Sequence, residues 1–202
     1  MAAADAALRG DPSLTPETLR GDNETRTTSR GRAHARWVID RASAQRESVL
    51  ESISDAALEW LGFPPAVLQQ EFAAEGGRID RGDFWWRNLR LLGEADGEFK
   101  YDGRFGDPSA LLRERHARDR RLLGGGIRAI AHWGWIDVAR VWPLRDLLLG
   151  HGLMQLRAPD LPRLHSLIQT LAPYDRLLSS LRGSRRRGAA SIESTTDGRE
   201  NG

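Results

Sequence analysis

The sequence predicts an α/β protein with a three-layer core and a mixed sheet, in the order helix, three-stranded meander, helix, strand, then further helix. Three observations carry this. Apolar residues recur at three- and four-residue spacing between Ala44 and Leu61. Three short runs of aromatic and branched residues follow, with turn signals between them. A second helical pattern then leads through Gly124-Gly125-Gly126 to one more apolar strand.

Residues 1–40 are polar. RGDNETRTTSRGR (Arg20–Arg32) is dominated by Gly, Asp, Asn, Ser and Thr, so a flexible arm or linker is expected, helical only around ADAALRG (Ala4–Gly10). The folded domain is assigned to residues 41–145. In its first helix Val49, Ile53, Ala56, Ala57 and Trp60 share one face, and Gly62, Pro64 and Pro65 end it. Leu68–Glu75 reads as a strand closed by the turn Gly76-Gly77. Arg78–Arg87 and Leu89–Gly97 complete the meander around Asn88, and Trp85 and Trp86 must face opposite sides. Asp107 and Pro108 open a helix over Ser109–Leu123. Ile127–Trp133 is a buried strand, with His132 packed at its end, and Trp135–Val141 is helical. A helical extension covers 146–182, and 183–202, rich in Arg, Ser, Thr and Gly, reads as a disordered tail.

Composition bounds the chemistry. The 202 residues include seven tryptophans and 40% hydrophobic residues, enough for a real core. With no cysteine, disulfides, thiolate metal sites and a cysteine nucleophile are excluded. No apolar run reads as a signal peptide or membrane span, so a cytoplasmic protein without membrane partners is expected. Lys100 is the only lysine; every other strong base is arginine. GC-rich coding explains such a bias, and arginine also suits phosphate through its planar fork. Arg113, Arg115, Arg118, Arg120 and Arg121 cluster on one helix, either as a solvated face or as a phosphate-tracking face, so nucleic acid is a candidate partner.

The acids carry a second signal. Asp83 lies late in the second strand, and Glu94 and Asp96 lie two residues apart at the end of the third. Residues at that spacing share a face, and a hairpin brings Asp83 beside them. Converging carboxylates repel one another, and a hard divalent cation, Mg²⁺ or Mn²⁺, relieves the repulsion. Gly97 lets backbone approach a ligand, and Lys100 follows within reach. Glu47 and Glu51, one turn apart on the preceding helix, offer a further carboxylate.

The ordered set ESVLES (Glu47–Ser52), LGFPPAVLQ (Leu61–Gln69), RGDFWW (Arg81–Trp86), LLGEADGEFKY (Leu91–Tyr101), ERHARD (Glu114–Asp119) and HWGWIDV (His132–Val138) resembles the PD-(D/E)XK endonuclease superfamily. The nearest likeness is its branch of small bacterial and phage proteins related to very-short-patch-repair nucleases. The resemblance covers Glu47–Val138 and implies a restriction-endonuclease-like core. It implies that Asp83 is the first motif acid, Glu94 the second, and Glu51 the helix acid, with Glu47 as its substitute. Asp96 stands where the motif has lysine, and Lys100 is the lysine on offer, a form that relatives in this branch share. The implied activity is Mg²⁺- or Mn²⁺-dependent hydrolysis of phosphodiester bonds in DNA, in defence, repair or a mobile element. Asp83, Glu94, Asp96 and Glu51 would hold the metal, Lys100 would complete the catalytic set, and Gln69, Arg115, Arg118 and Arg121 would contact nucleic acid. Double-strand cutting by one site per chain would require a homodimer. The alternative is an inactive DNA-binding regulator related to abortive-infection antitoxins.

Overall fold

The computed structural model describes residues 1–74, 77–97 and 108–177. Lys100 and the tail 183–202 lie outside the described residues. The elements are α1 (Ala2–Gly10), α2 (Pro16–Thr25), α3 (Arg32–Ile39), α4 (Val49–Leu61), β1 (Val67–Ala73), β2 (Ile79–Trp86), a 3₁₀ turn (Arg87–Leu89), β3 (Leu91–Ala95), α5 (Pro108–Gly124), β4 (Ala129–Trp133), α6 (Trp135–Arg140) and α7 (Trp142–Gly150). A further helix, α8, spans 161–177. The chain is thus α/β, with one four-stranded mixed sheet in the order β1-β2-β3-β4. β1, β2 and β3 form the antiparallel meander, and β4 returns parallel to β3.

Strand alternation divides the core. Phe84, Trp86, Leu91, Ala131 and Trp133 face Leu50, Ala57, Leu58 and Leu61 of α4, together with Val138, Leu144, Leu148, Leu164 and Leu171. Trp85 and Leu92 face Leu122 at the end of α5 and Ile127 beyond it. The two tryptophans therefore part to opposite sides, as the period of two requires. The Trp133 indole N–H, buried by this packing, donates to Ser54 Oγ at 2.9 Å. Gly93 has no room for a side chain, since a Cβ there would lie 2.5 Å from the Trp133 ring.

The N-terminal arm is where the structure departs from the sequence expectation. Residues 1–40 contain three helices: α1 covers the helix expected at ADAALRG, α2 and α3 stand where a linker was expected, and α1 is tied to α4 by charge. Asp5, 1% exposed, accepts from Arg46 Nη1 at 2.9 Å, from the Ser43 N–H at 2.9 Å and from Ser52 Oγ at 2.6 Å. Arg46 also pairs with Asp55 at 2.7 Å. A segment that is polar on average is fixed because its acid finds a complete set of buried donors. The start of α4 also differs from expectation. The helix expected from Ala44 begins at Val49, because Ser48 stays extended and its Oγ accepts the Glu51 N–H at 3.1 Å. Glu47 consequently lies outside the helix, not one turn from Glu51 upon it. The long C-terminal helical stretch divides into α7 and α8 at a turn around Gly152.

Candidate active site

The ladder between β2 and β3 ends at Phe84↔Gly93, although both strands continue past it. Beyond that pair lie Asp83 and Glu94. A side chain takes the place of the next ladder bond: Asp83 Oδ2 accepts the Ala95 N–H at 2.9 Å. β3 keeps its partner on the other side, with Glu94 beside His132 and Ala95 beside Trp133. A carboxylate is thereby held in the opening between two strands of one sheet.

The opening is the floor of a pocket of about 370 Å³, lined by Glu47, Glu51, Asp83, Glu94, Asp96 and Arg118 among others. Glu51 reaches it from the first turn of α4 and is buried. Gln69 bridges the two acids: its Nε2 lies 2.9 Å from Glu51 Oε2 and 3.4 Å from Asp83 Oδ1. Its φ of 51° is left-handed, uncommon for a non-glycine residue inside a strand, and marks a local strain spent beside the acids. Glu47 stands at the rim, its side chain on Arg81 at 2.6 Å and its N–H on Glu51 Oε2 at 2.9 Å.

α5 supplies the opposite wall. Arg118 grips Glu94 through two parallel bonds of 2.9 and 3.1 Å and donates as well to the Arg81 carbonyl. Arg115 pairs with Asp96 at 3.0 Å, and Arg121 grips Asp80 at 2.9 and 3.0 Å. The three arginines that the sequence offered as phosphate contacts are, in this structure, each seated on an acid of the sheet region. Their spacing of three puts them along one side of the helix.

Burial and like charge raise Asp83 and Glu94. Asp83 is pushed up to about 7, first by burial and then by Glu94, against the pull of the Ala95 N–H. Glu94 is also raised by burial, although the Arg118 guanidinium opposes the rise. Asp80, gripped by Arg121, lies below the usual carboxylate range.

Sequence reasoning missed His132 as part of this site. Its Nδ1 lies 2.8 Å from Asp96 and its Nε2 lies 3.1 Å from Asp119, so the ring spans two carboxylates. The available signal was parity: His132 sits beside Glu94 on the neighbouring strand and shares its face. The expected gathering of Asp83, Glu94 and Asp96 is met only in part. All three line one pocket, but Asp96 is turned to His132 and Arg115, and Glu94 to Arg118. Among the described residues, no three acidic or histidine side chains stand close enough together to hold a metal ion. A larger cavity, about 630 Å³, lies between α1, α3, α4 and α8 around the stacked pair Trp37 and Trp60, and no acid lines it.

No family model, curated protein or solved structure matches the chain. Among the described residues no helix is long and apolar enough to cross a membrane.

Proposed function

We propose that this chain is a divalent-cation-dependent endonuclease that hydrolyses phosphodiester bonds in DNA, on a restriction-endonuclease-like core. One observation carries the reading: Asp83 is buried where β2 and β3 part, beside Glu94 and within one glutamine of Glu51. A sheet that gives up a ladder bond to seat a carboxylate whose charge burial disfavours has a use for that carboxylate.

A divalent cation suits these donors. They are hard oxygen ligands, their charge is poorly solvated, and Glu94 already accepts a positive group, the Arg118 guanidinium. Mg²⁺ or Mn²⁺, when bound, would polarise the phosphate and acidify a water. Asp83 and Glu94 would hold the ion. Glu51, kept in line by Gln69, would orient a water at the pocket wall. Asp96, retained by His132 and Arg115, would contribute negative charge and not a direct ligand, which revises the role expected from sequence. Lys100 keeps its expected role, to orient the attacking water or to neutralise charge developing on the phosphate. A homodimer is the assembly that double-strand cutting would require.

The Arg118–Glu94 pair favours a second reading, an inactive DNA-binding protein in which an arginine has replaced the ion. A nicking assay with Mg²⁺ and Mn²⁺ on plain, mismatched and modified duplexes decides between them. The nuclease reading requires cleavage by the wild type that Asp83→Ala and Glu94→Ala abolish while folding normally. No cleavage on any substrate, with DNA binding intact, leaves the second.

A further inference from the structure

We propose that Arg118 is a resident cation that changes partner: it sits on Glu94 in the metal-free protein and passes to a substrate phosphate when a divalent ion takes Glu94. This inference rests on the nuclease reading and adds a coupling between metal and DNA binding that the reading does not require.

The geometry supplies the elements of an exchange. The guanidinium makes its two bonds to the same carboxylate that the ion would need, at 2.9 and 3.1 Å. Glu94 is almost wholly buried, so a charge there is costly unless a guanidinium or a metal ion offsets it. Arg118 itself is not sealed in; its side chain retains 24% exposure and borders the pocket. Its second hold is on the exposed side, where the same Nη2 donates to the Arg81 carbonyl, so a guanidinium that leaves Glu94 has to turn at that carbonyl or give up its bond to it. A freed guanidinium beside an acid-bound ion therefore faces the space where a phosphodiester would lie, and its planar fork matches two phosphate oxygens as well as it matches a carboxylate.

Two quantities follow. If the ion and the phosphate each favour the same released state of Arg118, each tightens the other's binding by the same factor. Couplings of this kind are commonly about 5- to 150-fold. One additional arginine on the DNA backbone also steepens the dependence of log affinity on log salt by about 0.9.

The experiment uses the full chain and a short duplex with a phosphorothioate backbone, which keeps its charge and resists hydrolysis. Duplex affinity is measured by fluorescence anisotropy across a salt series, with and without Mg²⁺, and Mn²⁺ affinity by calorimetry without DNA. In the wild type Mg²⁺ should tighten the duplex at least about fivefold. Arg118→Ala should bind Mn²⁺ more tightly than wild type, since no guanidinium competes, yet its duplex affinity should no longer respond to Mg²⁺. Glu94→Gln tests the release directly. Without any metal it should bind duplex more tightly than wild type with a slope steeper by about 0.9, and Glu94→Gln with Arg118→Ala should lose that gain. A misfolded variant cannot produce a gain, and the double variant removes the trivial effect of deleting a negative charge. Should wild type bind both Mn²⁺ and duplex independently, the exchange is refuted while the nuclease reading stands. Should neither wild type nor Arg118→Ala bind Mn²⁺, the nuclease reading falls and the exchange falls with it.

Discussion

Asp83→Asn is expected to stabilise the protein in neutral and alkaline solution while abolishing the cleavage proposed for it. The folded chain keeps on Asp83 a proton that the unfolded chain gives up, because burial and Glu94 lift the carboxyl from 3.8 to about 7. Between those two values the native state binds more protons, so stability falls as pH rises, and above about 7 the loss is complete. At about 1.36 kcal/mol per pH unit the full loss is roughly 4 kcal/mol, rather more than half of it above pH 5. Asparagine keeps an oxygen for the Ala95 N–H and carries no charge. It gives up the charged character of that bond and the long contact to Gln69, about 1 kcal/mol together. The net advantage of the variant at pH 8 is thus about 2–3 kcal/mol, or a rise in Tm of about 5–10 °C for a chain of this length. Thermal unfolding of both proteins from pH 5 to pH 8 measures it. Glu94 is present in both proteins, so the difference reports Asp83 together with its repulsion from Glu94. A saturating divalent ion should then narrow the gap by stabilising the wild type, by about 2.7 kcal/mol at a hundredfold excess over Kd. A gap between the two proteins that does not widen with pH, or a variant less stable at pH 8, would refute the account of Asp83.

Three further outcomes are expected. Arg46→Ala should cost about 3–5 kcal/mol in urea unfolding, because it leaves Asp5 buried without its guanidinium partner; combining it with Asp5→Ala should cost less than the sum of the two. Gly93→Ala should cost about 1–3 kcal/mol in the same assay, since its Cβ meets the Trp133 ring, and should lower cleavage by displacing Glu94. Lys100→Arg keeps the charge but replaces a compact ammonium by a fork, so cleavage should fall with Mn²⁺ affinity unchanged; equal cleavage would remove Lys100 from the site.

The sheet and the helices packed on it were legible because their signal is apolar and periodic. Trp85, Trp86, Leu91 and Leu92 announce two faces by alternation alone. The acids were legible as residue types at spacings that a hairpin brings together. What was not legible is which cation each acid takes. Glu94 with Arg118 and Asp96 with His132 are pairings across elements, settled by where α5 lies over the sheet, and no spacing along the chain encodes that. In the N-terminal arm the helix at ADAALRG was legible, but α2, α3 and the way the arm is tied to α4 were not. α1 is tied to α4 through Asp5, which takes donors from Arg46, Ser43 and Ser52 some forty residues away, and hydropathy reads such a network as polar residues only. Gln69 was noticed as a position but not as a bridge, since its left-handed backbone has no signature in its own side chain.

The arginine comb on α5 also decides what the protein's basic character can do. Arg115, Arg118 and Arg121 hold Asp96, Glu94 and Asp80, so most of the positive charge on this side is already spent on the protein's own acids. Lysine could not substitute there, because a point charge does not make the paired bonds seen at Glu94 and Asp80. Arg120 is exposed and, two residues from Arg118, points away from the side that carries the seated arginines, so DNA lying along the outer side of α5 would meet it without breaking an ion pair to the sheet. Arg120 and Arg118 should therefore differ in when they matter. Arg120→Ala should lower the salt slope of duplex binding by about 0.9 whether or not Mg²⁺ is present, and Arg118→Ala should lower it only when Mg²⁺ is present. If both variants behave alike in the two conditions, the seated and exposed arginines are equivalent to DNA, and the ion pairs to the sheet do not restrain them.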